Sequence, residues 1–432
     1  MNSRAVMAKV VTAVSRDKTP LDEALKKQLP EQTSPRDKGL IQEVCFGVIR
    51  HYQLLLHLLA RFMDKPLKQK DADIKALLLC GLYQLHYLNM ADHAAVSETV
   101  AAAKQLQKTW AGSLVNAVLR RSQREFADIN VTDSGDDSVT YLHPLWMIER
   151  IKQDWPTHWQ QILTANNARP PQHLRVNLTA ISRADYLQRL STCGITARPV
   201  AGIATAIQTE KPVNAYELPG FGEGLCTIQD AGAQYAAVIL APERGERVLD
   251  GCAAPGGKTS HLYEHAPAEL LALDITAQRC ALLQDTVQRT GAAAHIICAD
   301  VRSPEQWWDG RLFDRILLDV PCSASGVIRR HPDIKLLRTP EQLQALDEKQ
   351  LQMLQAVWPT LKPDGRLLYA SCSVFRCEND AVIERFLQSH SGAESVRIEL
   401  DMGIASQYGR QLLPGVHDTD GFYYSLLRKV EQ

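Results

Sequence analysis

Apolar positions recur every three or four residues along residues 1–130, and this spacing predicts helices. Val6, Val10, Val11 and Val14 fall on one helical stripe, as do Leu77, Leu78, Gly81, Leu82 and Leu85. Residues 97–104 are a run of good helix formers. Residues 114–121 read as a helix entered through a Ser113 cap. Its end carries Arg120, Arg121 and Arg124, a group placed for RNA contact, although any one of them could simply complement the helix dipole. The polar, acidic run 132–138 reads as an interdomain linker. Helical spacing returns over 144–164, and Arg169-Pro-Pro breaks it. Residues 174–178 alternate as a strand. Ser182 then caps an amphipathic helix that stops at Cys193-Gly194.

The pattern changes at Thr227. Short apolar runs at 247–250, 270–274, 295–300, 315–319 and 366–370 predict buried strands, with helices between them over 276–290 and 340–360. Strands alternating with helices argue a doubly wound, Rossmann-like, mostly parallel sheet. The expected organisation is an all-helical domain with linker (1–138), a small α/β domain (139–225) and a C-terminal α/β domain (226–432). A chain of 432 residues is long enough for two or three cores.

Charge adds an asymmetry that the net value of −1 conceals. Residues 1–130 hold 19 Lys+Arg against 13 Asp+Glu, and the remainder is acidic. A basic first third suggests an anionic partner. No apolar stretch is long enough to span a bilayer, and the first residues lack the core of a secretory signal, so a cytoplasmic protein without membrane contact is expected. Ten scattered cysteines suit a reducing compartment. Neither Cys-x-x-Cys nor His-Glu-x-x-His occurs, so no metal is expected.

Candidate chemistry gathers at the strand ends. Asp250-Gly-Cys-Ala-Ala-Pro-Gly-Gly-Lys-Thr follows the first strand of the sheet and opens a helix. A phosphate-binding P-loop would need glycine where Cys252 stands, and the dinucleotide fingerprint also fails on the spacing of Gly251, Gly256 and Gly257. An S-adenosylmethionine loop is left. Asp274 ends the second strand, where an acid can take both ribose hydroxyls. Asp300 ends the third, placed for an adenine amino group, and Asp319 ends the fourth. Cys322 and Cys372 each follow a strand, at the sheet edge where ligands bind. Free cysteine is most often a buried hydrophobe. Two thiols at one edge beside a cofactor loop suggest covalent chemistry instead.

Together Cys252-Ala-Ala-Pro-Gly-Gly-Lys258, Asp319-Val-Pro-Cys322 and Ser371-Cys372-Ser373 resemble the motifs of RNA cytosine-5 methyltransferases, most nearly the bacterial Fmu/Sun (RsmB) type. Arg330-His-Pro-Asp-Ile-Lys335, Glu378-Asn379 and Asp420-Gly-Phe422 match further, and the resemblance covers nearly the whole chain. Ser371 stands where the family usually has Thr, which keeps a hydroxyl.

The resemblance implies a NusB-like RNA-binding N-terminal domain. It also implies S-adenosylmethionine held by Cys252, Ala253, Ala254, Pro255, Gly256, Gly257, Lys258, Asp274, Asp300 and Asp319. The implied partner is small-subunit (16S) ribosomal RNA, unassembled or partly assembled, methylated at C5 of one cytosine by a monomeric chain. The residues alone leave the order of the thiols open. By resemblance, Cys372 is the nucleophile that adds to C6 and Cys322 aids product release. Asp319 serves the cytosine edge, and Lys258 lies near the thiols. His331, Lys335, Arg329 and Arg330 are candidates for phosphate contact, while Cys377 is expected to be structural. Two rivals share parts of this pattern. A non-catalytic RNA-binding factor on the same fold would not need both cysteines, Lys258 and three strand-end acids. A transfer-RNA cytosine-5 methyltransferase would use the same catalytic residues, and only the N-terminal domain argues against it.

Overall fold

The computed structural model describes residues 2–128, 135–399, 401 and 403–431. They divide into two compact units. One comprises Met1–Ala168 with Ile328–Arg338, the other Arg169–Val327 with Thr339–Gln432.

The first unit is helical. Its longer helices are Ser3–Ser15, Pro35–Arg50, Tyr52–Phe62, Ala72–Tyr87, Asp92–Gln105 and Ala111–Glu125, followed by Leu145–Asp154 and Trp159–Asn167. The Val6, Val10, Val11 and Val14 stripe is fully buried in one core with Leu77, Leu78 and Leu82. Burying such a side chain contributes about 1.5–3 kcal/mol, so this stripe drives the packing of the first helix on Ala72–Tyr87.

Two local expectations need correction. Trp110 holds the N-cap position of helix Ala111–Glu125, and Ser113 lies inside the first turn, its Oγ donating back to the Trp110 carbonyl at 3.5 Å. A serine within a helix back-bonds in this way instead of capping. Of the run 132–138, residues 132–134 lie outside the described residues. Asp137–Tyr141 is a short helix, capped by the Asp136 side chain, which accepts from the Ser138 amide at 2.8 Å.

The segment 328–338 packs within this helical unit. The Leu21 amide donates to the Asp333 carboxylate at 3.0 Å, and Arg50 Nη2 donates to the Arg329 carbonyl at 2.9 Å. Lys335 Nζ donates to the Arg50 carbonyl at 2.7 Å and to Asn167 Oδ1 at 3.0 Å. Lys335 and Arg329 are each only 3% exposed, which corrects the expectation that they reach phosphates. Burial pushes the Lys335 ammonium well below its ordinary pKa, with the Arg50 charge adding to the effect. His331 stays half exposed, 3.6 Å from Asp22.

The second unit holds two sheets. Strands β1 (Gln172–Val176), β2 (Ala197–Pro199), β3 (Ala206–Thr209) and β4 (Cys226–Ile228) form an antiparallel sheet in the order β2-β3-β1-β4. Helix Arg183–Thr192, capped by Ser182 as its sequence predicts, covers it through Tyr186 and Leu190. The larger sheet contains β5 (Arg247–Asp250), β6 (Glu269–Asp274), β7 (Ala294–Cys298), β8 (Phe313–Asp319), β9 (Leu361–Ser371), β10 (Ala393–Val396), β11 (Ile404–Ala405), β12 (Arg410–Leu412) and β13 (Phe422–Lys429). Its order is β11-β12-β13-β9-β8-β5-β6-β7, with β10 paired to β13. Strands β5 to β9 pair in parallel, and β13 runs antiparallel to β9.

Both faces of this sheet are buried. Leu249, Leu271, Ile316, Leu318 and Leu367 belong to one core, and Val248, Leu270, Leu317 and Leu368 to the other. That is why the strands read as continuous apolar runs. The chain leaves β5 for β6 on one side, and later returns to pair β8 on the other. The crevice at such a reversal is where open α/β sheets bind ligands.

Candidate active site

The loop after β5 is shaped by what it cannot hold. A Cβ on Gly251 would stand 2.9 Å from Leu318 Cδ1, and Gly256 has φ +99° with Leu283 and Thr286 at 3.0 Å from its would-be Cβ. Gly256 caps helix Gly257–His265, whose first turn carries Lys258. Ala253 is buried against Ala272, Leu283 and Val287. Arg175 of β1 braces the other side of this helix. Its guanidinium donates to Gln229 Oε1 at 2.6 Å, to Ser260 Oγ at 2.8 Å, to Glu264 at 2.7 Å and to the Gly257 carbonyl.

A cleft of about 310 Å³ opens at the C-terminal ends of β5, β6, β8 and β9. Of the residues read from the sequence, Cys252, Ala254, Asp274, Asp300, Asp319, Cys322 and Cys372 line it. Ala253, Pro255, Gly256 and Gly257 shape the loop without lining the cleft, and Lys258 reaches it through Asp319.

Asp274, 4% exposed, accepts from the Ala254 amide at 3.1 Å through Oδ2. Its Oδ1 accepts from the Ile275 amide at 2.9 Å and from Arg279 Nε at 2.7 Å. One lone-pair site therefore remains on Oδ2, and a second becomes available when the half-exposed Arg279 swings away. A ribose diol needs two such acceptors, so these residues fit S-adenosylmethionine. Asp300 lies just past β7 and is engaged by Arg302, with Nη2 at 2.7 Å and Nε at 3.1 Å. These bonds hold the Asp300 carboxyl below its ordinary pKa. Arg302 is partly exposed and would have to yield for Asp300 to meet a base.

Lys258 Nζ donates to Asp319 Oδ2 at 2.6 Å and stands 5.6 Å from the Phe422 ring centroid. Burial works against the ammonium, but the Asp319 charge and hydrogen bond outweigh it, and the Lys258 pKa is raised. Asp319 pairs in register with Ala370 on β9, so the chains leaving these strands stay side by side. They bring Cys322 Sγ and Cys372 Sγ to 3.4 Å. The Cys322 thiol is pushed well above its ordinary value, first by its hydrogen bond to Cys372 and then by burial. Cys377 lies in the turn Arg376–Glu378 and does not line the cleft.

Sequence reading missed Arg279, Lys349 and Met353, which also line the cleft. Arg279 had a faint signal, since it sits one turn into the helix that begins just after Asp274. Lys349 and Met353 project from the middle of helix Pro340–Val357, and nothing local distinguishes them.

Three family models match the chain. They are the NusB family over residues 1–124, the RsmF/B-like ferredoxin-like domain over 143–216, and the 16S rRNA methyltransferase RsmB/F over 237–428. The probable ribosomal RNA small subunit methyltransferase B of Coxiella burnetii is 47% identical over 99% of this chain and all of its own length. The chain belongs to the ribosomal RNA small subunit methyltransferase B family. The methyltransferase B proteins of Pseudomonas syringae and Vibrio cholerae are 44% and 43% identical over nearly full length. Methyltransferases of this family take S-adenosylmethionine as cofactor. The fold is shared with the crystal structure of PH0851, at TM-score 0.83 and 23% identity over 99% of both chains. A methyltransferase homologue from Pyrococcus horikoshii matches at TM-score 0.61 and 28% identity, covering 68% of this chain and 97% of its own.

Proposed function

We propose that this protein methylates C5 of a cytosine in small-subunit ribosomal RNA through a covalent adduct between Cys372 and C6. The observation that carries the reading is the pair of thiols 3.4 Å apart in the cleft, beside the Lys258–Asp319 ion pair. S-adenosylmethionine supplies an electrophilic methyl group on a sulfonium. C5 of cytosine is too weak a nucleophile to take it unaided.

Addition of the Cys372 thiolate to C6 makes C5 enamine-like, and this divides one hard step into easier ones. Cys322, whose thiol is pushed well above its ordinary value, keeps its proton beside Cys372, and the family resemblance makes Cys372 the attacking thiolate. Asp319 faces the cytosine edge, holding or protonating N3 as C6 is attacked. After the methyl arrives, C5 loses its proton, the S–C6 bond breaks, and the electron pair of the C5–H bond restores the C5=C6 double bond. Cys322 assists this release. A stacked base cannot enter the cleft, so the target cytosine is unpaired or extruded. The N-terminal domain grips the RNA, in keeping with the positive balance of residues 1–130.

Radiolabelled methyl transfer to unmodified small-subunit ribosomal RNA, followed by bisulfite sequencing, tests the reading. One protected cytosine is expected. Transfer to transfer RNA alone would establish the alternative substrate. Binding of S-adenosylhomocysteine without transfer to any RNA would mean a non-catalytic RNA-binding factor.

A further inference from the structure

Glu378 is fully buried at the end of the turn that follows β9, and it does not line the cleft. Its carboxylate is nevertheless bound to both cysteine loops. Oε1 accepts from the Ser323 amide at 2.7 Å, and Oε2 accepts from the Ser323 and Ser373 hydroxyls, each at 2.5 Å. Ser323 directly follows Cys322, and Ser373 directly follows Cys372. One side chain therefore holds the residue next to each thiol.

Further bonds join the same loops around it. Ser325 Oγ lies 3.1 Å from Ser323 Oγ and 3.0 Å from Ser373 Oγ. Gln350 Nε2 donates to the Pro321 carbonyl at 3.0 Å and to Glu378 Oε1 at 3.3 Å. The Tyr369 hydroxyl donates to the Glu378 carbonyl at 2.6 Å. Removing a carboxylate from water is costly and raises the Glu378 pKa, and three short bonds with a longer one from Gln350, all from neutral donors, offset that cost. A buried carboxyl group bonded to both loops where they meet suits a requirement for their relative placement.

We propose that Glu378 is a positioning residue that locks the Cys322 and Cys372 loops together, keeping both sulfurs within reach of one base. The proposal rests on the two-thiol reading above, and its test has one arm that does not depend on catalysis. Diamide oxidises a close thiol pair to a disulfide, with both thiol hydrogens and two electrons passing to its azo bond. In the full-length wild-type protein the Cys322–Cys372 bridge should form readily, read by peptide mass mapping.

Glu378→Ala should slow this bridge and kcat together by roughly tenfold or more, because misplacing a reacting group by about 1 Å costs on the order of a hundredfold. KM for RNA and the affinity for S-adenosylhomocysteine should not change. Glu378→Gln keeps one acceptor oxygen and the volume, and should rescue both rates in part. Where Glu378→Ala does not fold, Ser373→Ala decides, since it removes the bond from Glu378 to the Cys372 side while leaving those to Ser323, and should slow both rates. Wild-type bridging and wild-type kcat in the folded Ala variant, or in Ser373→Ala, would overturn the proposal. If the wild type bridges and Glu378→Ala does not, but no adduct or methyl transfer occurs with any RNA, the covalent reading fails and the positioning role stands as a geometric one.

Discussion

Cys322 Sγ and Cys372 Sγ lie 3.4 Å apart although 50 residues separate them along the chain. The pairing of β8 with β9 produces this approach, and it makes the roles of the two thiols separable by experiment. Cys372→Ala cannot form the adduct and should be inactive. Cys322→Ala should still attack and methylate, then stall as a protein–RNA conjugate. Both variants would be slow in a turnover assay, but only Cys322→Ala should give a retarded band on a denaturing gel. The reverse pattern would exchange the roles, and no band in either would count against covalent catalysis.

Asp274→Ala should weaken S-adenosylmethionine binding. The substitution removes a charge-assisted acceptor worth about 1.5–3 kcal/mol, or roughly ten- to a hundredfold in Kd. It also frees the Ala254 amide and Arg279, both held by Asp274. Calorimetry on the folded variant reads the effect, and an unchanged affinity would remove Asp274 from the ribose site.

Asp250 gives a pH dependence with a definite sign. Burial, partly offset by the Thr259 hydroxyl, raises its pKa from 3.8 to about 7. Between those values the folded protein binds the proton and the unfolded chain does not, so stability from this group falls as pH rises through that window. The loss is on the order of 4 kcal/mol at most. Asp250→Asn should abolish that slope. Thermal melting of both proteins at about pH 5 and about pH 8 should show the difference moving in favour of the variant at the higher pH. Parallel curves would place the Asp250 pKa near its unfolded value.

Removing residues 1–140 should do more than weaken RNA binding. The salt-sensitive part of RNA affinity should fall, as phosphate contacts do. The cut also takes the Leu21 amide from Asp333 and the Arg50 carbonyl from Lys335. A buried polar group left unpaired costs about 1–3 kcal/mol. Limited proteolysis should therefore cleave the shortened chain within 328–338 and spare the full chain. Equal resistance would show that the segment holds its conformation unaided.

What could be read in the sequence follows from what kind of order each part has. Strands β5, β6, β8 and β9 were legible because both sheet faces are buried, which leaves uninterrupted apolar runs ending in Asp250, Asp274 and Asp319. The helical stripe at Val6 to Val14 was legible for the same reason at a different period. The cap at Ser113 misled because a Gly-Ser pair signals a helix start wherever it occurs, and only the preceding turn showed that the helix had already begun. Lys335 misled because charge implies solvent until a partner is found, and its partners, the Arg50 carbonyl and Asn167 Oδ1, lie far away along the chain; Arg329 is buried beside it, its carbonyl accepting from Arg50. Glu378 stood in a matching motif, but its bonds to Ser323 depend on a 55-residue separation that no local pattern encodes.

The segment 328–338 has a consequence for synthesis. Leu21 and Arg50 emerge from the ribosome early, but the groups that complete their surroundings, Asp333, Lys335 and the Arg329 carbonyl, are made some 280 to 310 residues later. Domains generally fold in order as they are translated. Here the helical unit cannot complete these bonds while β5 to β8 are synthesised, and can do so only after the ribosome has passed residue 338. A nascent chain of this protein thus acquires its complete N-terminal unit only after Cys322, the first of the two thiols, has already been made.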